Sequence, residues 1–197
     1  MAGRQLTLED IADLRAYERE RDAFRQRIMA LKRRRRVALG PVASVVFENR
    51  ETVRFQVQEM ARAERMMSDE QILGELAVYN PLIPNPGELS ATLFLELTDE
   101  ASLRTWLPKL VGIERSLVLR LADGQTVRCV PEAGHAEQLT REDVTASVHY
   151  VRWQLTEAQV ARFAEGGVVL ASEHPAYQHE TALAAETVEE LLGDLRP

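Results

Sequence analysis

The spacing of apolar residues near the amino terminus predicts a long helix that packs through one stripe. Thr7 and Asp10 have the spacing of a capping box. Apolar residues then recur at alternating steps of three and four, which is the pattern of one helix face. The stripe consists of Leu14, Tyr17, Phe24, Ile28 and Leu31. Arg21 occupies the one position of this stripe that lacks an apolar residue, and the helix is expected to run to about Arg35.

Two further helices follow after a short strand. Gly40-Pro41 ends the first helical pattern, and the valine-rich run after it is a strand candidate. Ser68 and Gln71 form a second capping box, so the chain is expected to bend there and begin a new helix. The predicted segments are a strand at 42–47, helices at about 52–66 and 69–79, and a rigid proline-rich loop at 81–87.

The second half of the chain alternates apolar and polar residues as strands do. Asp123-Gly124 between two alternating runs is the strongest hairpin signal, and a second hairpin is expected around His174-Pro175. Strands are predicted at 89–97, 116–122, 125–130, 144–155, 168–171 and 177–183, and helices at 99–110, 156–166 and 185–195. The expected fold is α+β, with a mostly antiparallel sheet and long N-terminal helices packed on it. We expect a single domain over 1–197, with a helical part at about 1–80 and a sheet-rich part at about 88–197.

The composition narrows the class of protein without naming a function. The chain has 197 residues, 45% of them hydrophobic, with a net charge of -7 and one cysteine. A lone Cys129 excludes an internal disulfide and any multi-cysteine zinc or iron–sulfur site. No apolar run is long enough for a signal peptide or a membrane span, so a soluble cytoplasmic protein without membrane contact is expected.

A run of five basic residues, 32–36, closes the predicted first helix. One interpretation is a patch for phosphate or nucleic acid. The alternative is a solvated helix end, whose cations complement the helix dipole. No aromatic residue is interleaved to stack bases, so the run favours the second interpretation and argues against nucleic-acid binding.

The second helix carries acidic and basic residues close to its apolar stripe. The stripe as predicted passes through Glu64, and a carboxylate on a buried face needs a partner. Glu59 and Arg62 are three residues apart and can pair on one face. Two interpretations stay open. The charges form an internal network, with Arg21 as the partner in the first helix, or Arg21, Glu59, Arg62 and Glu64 bind a ligand, with Glu64 as a metal ligand or general base.

The histidines offer a candidate metal site. Alternation places His149 on the apolar strand face that also carries Val151 and Trp153. His174 and His179 flank the second hairpin. If that hairpin lies beside the His149 strand, these imidazoles and Glu64 could converge on a divalent transition metal such as zinc, iron or manganese. The alternative is a histidine whose hydrogen bonds are satisfied within the core.

Several long blocks resemble a bacterial family of unknown function of about this length. They include LKRRRRVALGP, VFENRETVRFQVQEMARAER, ELAVYNPLIP, LSATLFLEL and SVHYVRWQL. The matching positions include Glu48, Arg50, Gln58, Glu59, Arg62, Glu64, Tyr79, Asn80 and His149. The family's acidic stretch before the last of these strands is matched only in part, at 131–137. Members are often encoded beside rubrerythrin-like proteins and iron–sulfur oxidoreductases, so the resemblance implies a role around redox or oxidative-stress chemistry and partners of those kinds.

Two functional hypotheses follow, and the question of enzymatic activity stays open. The first is an accessory factor of a redox system, whose Glu/Arg-rich helix and His149 strand line a polar pocket for a metal or a small anionic ligand. The second is a non-catalytic interaction or assembly module in which these side chains are structural. The long first helix either pairs across a homodimer or serves the core of its own chain.

Overall fold

The computed structural model describes residues 4–132 and 143–196, so part of the 131–137 stretch, including His135, lies outside the described residues. Within them the chain forms six α-helices: α1 (Leu14–Arg35), α2 (Arg50–Ala63), α3 (Asp69–Tyr79), α4 (Glu100–Trp106), α5 (Glu157–Ala164) and α6 (Ala185–Leu195). The strands are β1 (Arg36–Leu39), β2 (Ala43–Glu48), β3 (Glu88–Leu95), β4 (Leu117–Arg120), β5 (Thr126–Arg128), β6 (Val130–Pro131), β7 (Val148–Gln154), β8 (Val169–His174) and β9 (Tyr177–Ala182).

The strands form two antiparallel sheets, which confirms the predicted α+β fold. The larger sheet has five strands in the order β1-β2-β3-β7-β6, and the smaller has four in the order β5-β4-β8-β9. Both predicted hairpins are present, as β4 paired with β5 and β8 paired with β9. The two sheets approach each other at β1 and β9, where the Thr181 hydroxyl donates to the Ala38 carbonyl at 2.6 Å.

The two faces of the five-stranded sheet have different partners. One face packs on the four-stranded sheet and on α5 and α6, and it carries apolar residues such as Phe47, Leu93 and Trp153. Strand alternation turns their neighbours to the opposite face, which α1, α2 and α3 cover. That second face contains buried polar residues, among them Glu48, Ser90 and Thr92. The sheet thus separates an apolar core from a more polar layer beneath the N-terminal helices.

The apolar stripe of α1 is used inside the chain. Tyr17, Phe24 and Ile28 are buried and pack with Phe55 of α2. The Phe24 ring meets Phe55 edge-to-face at 5.6 Å between ring centres. The stripe therefore serves the core of its own chain, and a homodimer stays a prediction.

Three of the differences from the sequence prediction have a clear physical reason. The Thr7–Asp10 capping box exists, but it encloses a 3₁₀ turn at Leu8–Asp10, and α1 begins only after Asp13 makes its own cap. Strand β1 was not predicted, because its residues follow the basic run and only two of its side chains are buried. Helix α4 ends two residues before Pro108, since proline lacks the N–H that continues a helix.

Most residues of the basic run form ion pairs with other residues of the same chain. Arg34 and Arg35 pair with Glu190 of α6, and Arg36 pairs with Glu96. Arg35 is completely buried, which the solvated-end interpretation did not foresee. No helix in the described part of the chain is long and apolar enough to cross a membrane.

Candidate functional site

A cavity of about 240 Å³ lies between the polar face of the five-stranded sheet and the N-terminal helices. The sheet supplies its floor through β2, β3 and β7, while α1, α2, α3 and the turn after α3 supply its walls. Its lining residues are Lys32, Glu48, Thr52, Val53, Gln56, Tyr79, Leu82, Thr92, Phe94, Val148 and Tyr150. The lining thus combines one carboxylate, one ammonium group, several hydroxyls and an apolar wall.

Strand register explains why the sheet residues of the cavity share one face. Thr92 of β3 stands opposite Tyr150 of β7, and Phe94 stands opposite Val148. Glu48 lies at the end of β2, two pairs along from the Val46–Thr92 pair and therefore on the same face. The alternation that sends Phe47 into the apolar core therefore sends Glu48 into the cavity.

The Glu48 carboxylate is the most deeply placed charge of the cavity, with 8% of the residue exposed. Its Oε1 accepts a hydrogen bond from the Thr92 hydroxyl at 2.7 Å, and its Oε2 accepts one from the Thr52 hydroxyl at 2.5 Å. The Thr52 hydroxyl also accepts from the Asn49 N–H at 2.9 Å, as part of the capping box that begins α2. Within the part of the chain that the structure describes, Glu48 forms no ion pair.

Arg35 fixes the backbone that carries Glu48. Its guanidinium donates to the Phe47 carbonyl at 2.8 Å and to the Glu48 carbonyl at 3.0 Å, and it pairs with Asp194 and Glu190 of α6. Burial raises the pKa of Asp194, while the Arg35 charge acts in the opposite direction. The end of β2 is thereby tied to both α1 and α6.

The phenol of Tyr150 stays protonated over the ordinary pH range. Burial raises its pKa to about 12, with smaller contributions from Tyr79 and Glu48. Lys32, at the cavity edge, is half-buried and places its Nζ 5.8 Å from the centre of the Phe55 ring. The cavity therefore offers neutral hydroxyls and aromatic edges between two opposite charges.

The charged residues predicted on α2 lie outside this cavity. Arg21 makes a two-pronged contact with Glu59, at 2.8 Å from Nε to Oε1 and 2.8 Å from Nη2 to Oε2, and the Tyr17 hydroxyl donates to the same carboxylate at 2.7 Å. The hydrogen bond from Arg21 lowers the pKa of Glu59 to about 2. This arrangement links α1 to α2 as the internal-network interpretation expects.

The predicted position of Glu64 on a buried stripe is wrong. Helix α2 ends at Ala63, so Glu64 is an exposed capping residue rather than part of a buried stripe, and Arg21 pairs with Glu59 instead. Arg62 pairs with Glu18 rather than with Glu59. A ligand-binding role for Arg21, Glu59, Arg62 and Glu64 stays a prediction, and the first two already satisfy each other.

The structure does not bring the predicted metal ligands together. His149 lies on β7, whereas His174 and His179 lie on the four-stranded sheet, so the hairpin is not beside the His149 strand. Glu64 is at the far end of α2. Among the described residues, no group of three or more histidine, cysteine, aspartate or glutamate side chains could hold a metal ion. The geometry thus gives no support to zinc, iron or manganese at these positions.

Each of these three histidines instead has local contacts. His149 Nε2 lies 2.9 Å from both the Thr145 hydroxyl and the Ala146 carbonyl, and burial lowers its pKa. His174 Nε2 lies 3.0 Å from the Val111 carbonyl. His179 is exposed and rests against the Tyr177 ring, at 4.5 Å between ring centres. His149 is buried on the apolar face, as predicted, and therefore points away from the cavity.

The predicted pocket and the observed cavity share two elements but use different faces of them. Helix α2 and strand β7 both line the cavity, through Gln56 and Tyr150 rather than through Glu59 and His149. Glu48 and Tyr79 entered the sequence analysis only as positions of the family resemblance. A local signal was available in the Asn49–Thr52 capping box, which places the residue before it at a strand–helix junction.

Comparison with known proteins identifies relatives but no activity. A family model described as protein of unknown function (DUF3501) matches residues 5–195. A crystal structure of a novel protein of unknown function from Burkholderia pseudomallei K96243 is similar, with a TM-score of 0.89 and 32% sequence identity, over 97% of this chain and 99% of that chain. No curated protein matches the chain.

Proposed function

Since the chain belongs to the DUF3501 family of proteins of unknown function, we propose a function from its own geometry. The chain binds a small organic molecule in the cavity around Glu48. Small-molecule sites are concave and largely apolar, with a few polar groups that fix orientation. The cavity has this character, since Val53, Leu82 and Val148 face the hydroxyls and charges described above.

The observation that carries the proposal is the environment of the Glu48 carboxylate. A buried charge without an opposite charge is unfavourable by several kcal/mol in typical proteins. Two threonine hydroxyls stabilise Glu48, but no cation within the described residues pairs with it. A ligand that brings a hydrogen-bond donor or a positive charge would complete this environment.

The cavity volume bounds the size of the ligand. A water molecule occupies about 30 Å³ in the liquid, so a cavity of about 240 Å³ corresponds to roughly eight waters. The volume suits a metabolite of about that many non-hydrogen atoms rather than a nucleotide or a large cofactor.

A fragment screen by amide chemical-shift perturbation tests the proposal. The library should hold neutral, cationic, anionic and zwitterionic fragments of up to about ten non-hydrogen atoms, by the cavity volume. We expect saturable shifts at residues lining the cavity. Glu48→Gln should weaken binding at least about tenfold, since a charge-assisted hydrogen bond is lost.

Glu51→Gln is the matched control for that screen. Glu51 lies three residues further along, on the exposed side of α2, and pairs with Arg27 at 3.3 Å. The control should bind fragments as the unmodified protein does. Absence of any fragment from the cavity, or equal affinity in the Glu48→Gln variant, would refute the proposal.

A second candidate, the interaction module, is favoured by the surface of α3. Only one residue of this helix, Leu76, is buried. Nearby Met67, Leu73 and Val78 are 83%, 51% and 44% exposed. We propose a second copy of this chain as the partner, measured by light scattering after gel filtration. A dimer that Leu73→Glu converts to a monomer supports this function, whereas a monomer at every concentration contradicts it.

The accessory role in a redox system rests on the family resemblance and stays a proposal. Burial raises the pKa of Cys129 to about 12, so its thiol is protonated at neutral pH and poorly reactive. Any redox chemistry would therefore come from a bound metal or a partner rather than from this thiol. Co-purification with a rubrerythrin-like protein or an iron–sulfur oxidoreductase supports the role, and failure of both to bind the purified chain opposes it.

A further inference from the structure

Two opposite charges line the same cavity without pairing to each other. Glu48 is held by hydroxyls at the floor, and Lys32 of α1 is part of the lining. Within the described residues, Lys32 forms no ion pair, and its Nζ lies 5.8 Å from the centre of the Phe55 ring. The cavity thus has an anionic and a cationic group, and neither is neutralised by an ion pair.

This arrangement discriminates between classes of ligand. A simple anion would be repelled by the buried Glu48 carboxylate, and a simple cation would leave Lys32 without an opposite charge. A molecule with one charge of each sign satisfies both groups at once. Specificity of this kind arises because the wrong ligand leaves a charge unpaired.

We propose that the ligand is a small zwitterion, an amino-acid-like molecule that carries a primary ammonium group and a carboxylate. The ammonium group donates to the Glu48 carboxylate, and the carboxylate accepts from Lys32. A short aliphatic body lies against Val53, Leu82 and Val148. This inference rests on the proposed function, because it specifies the ligand class of the same cavity.

The apolar wall and the volume limit the candidates further. A cavity of about 240 Å³ has room for roughly eight non-hydrogen atoms. Two charged groups and a chain of a few methylenes fill that number. The separation of the two charges in the ligand therefore becomes the quantity to vary.

Isothermal titration with a matched set of probes tests the inference. The zwitterions are valine, 3-aminopropanoate, 4-aminobutanoate and 5-aminopentanoate. Butylamine carries the cation alone, butanoate the anion alone, and butanol neither. At least one zwitterion should bind about tenfold more tightly than butylamine or butanoate and about a hundredfold more tightly than butanol, since each charge-assisted contact contributes about a factor of ten.

Two variants assign the two contacts, and a third is the control. Glu48→Gln should remove the advantage of the zwitterion over butanoate, and Lys32→Met should remove its advantage over butylamine while keeping the aliphatic stem. Arg33→Met, an exposed neighbour that does not line the cavity, should change neither. Lys32 is half-buried, so its variant keeps the test available if the Glu48 variant fails to fold.

The outcomes separate this inference from the proposed function. Binding of butylamine as tight as that of every zwitterion, with no effect of Lys32→Met, overturns the inference and leaves ligand binding by Glu48 intact. If only neutral fragments change the amide chemical shifts of the cavity residues, the inference is also overturned, while the proposed function stands. If none of the probes and no fragment of the library binds in the cavity, both the inference and the proposed function are refuted.

Discussion

Replacing Arg35 with methionine removes a cation that joins the end of β2 to α6. The side chain is 0% exposed, and it makes hydrogen bonds of 2.8 and 3.0 Å to the carbonyls of Phe47 and Glu48. It also pairs with Glu190 and with the largely buried Asp194. Removing one partner of a buried ion pair costs about 3–5 kcal/mol. Each carbonyl left without a hydrogen bond costs about 1–3 kcal/mol more at the most, although this cost overlaps with that of the lost ion pair.

We therefore expect Arg35→Met to lower the free energy of unfolding by about 4 kcal/mol, a large share of the roughly 5–15 kcal/mol of a typical domain. Urea unfolding followed by circular dichroism gives the value. Arg34→Met is the matched control, because Arg34 also pairs with Glu190 but is 45% exposed. Exposed pairs contribute about 0–1 kcal/mol.

A third variant separates loss of charge from loss of packing. Adding Asp194→Asn to Arg35→Met removes the carboxylate left without a cation, so part of the lost stability should return. A difference of less than about 1 kcal/mol between Arg35→Met and Arg34→Met would refute the reasoning, because it would place both arginines in the class of exposed pairs.

The remaining predictions concern an ion pair and a turn. Arg21 lowers the pKa of Glu59 from 4.5 to about 2, so this carboxylate stabilises the fold above pH 4.5, and that contribution is lost as the pH falls from 4.5 toward 2. Glu59→Gln should flatten the dependence of the unfolding free energy on pH in that window, and an unchanged slope contradicts this. At Gly40, φ is +69° and an added Cβ would lie 2.5 Å from Cγ of His179. Gly40→Ala should lower the Tm more than Gly124→Ala, because at Gly124 φ is +86° but no neighbouring atom lies within 4 Å of an added Cβ. Equal losses of Tm contradict the packing argument.

Local sequence signals located most of the elements. The capping box at Ser68, the Asp123-Gly124 turn and the α1 stripe each depend on residues a few positions apart, and the structure contains all of them. Strand β1 was missed because it has only four residues and begins at Arg36, the last residue of the basic run. It pairs with the neighbouring strand β2, Val37 opposite Val45, so the hairpin itself is local.

The cavity was harder to predict because its residues come from five separate segments. Glu48 follows an apolar run whose side chains are all buried, so alternation alone did not distinguish the core face from the cavity face. Glu59 was predicted as a site residue because it can pair with Arg62, and His149 because it is a polar residue on an apolar strand face. Their partners, Arg21 and Thr145, show that such residues are also satisfied structurally. The tertiary pairing that decides between these roles is absent from the sequence pattern.

A crystal structure with a bound amine-bearing probe shows directly whether Glu48 holds a ligand in the cavity. We expect electron density in the cavity, with the ammonium nitrogen about 2.7–3.2 Å from a Glu48 carboxylate oxygen, the usual N–H···O range. Density for the probe at another surface, with the cavity filled only by water at saturating probe concentration, would contradict it.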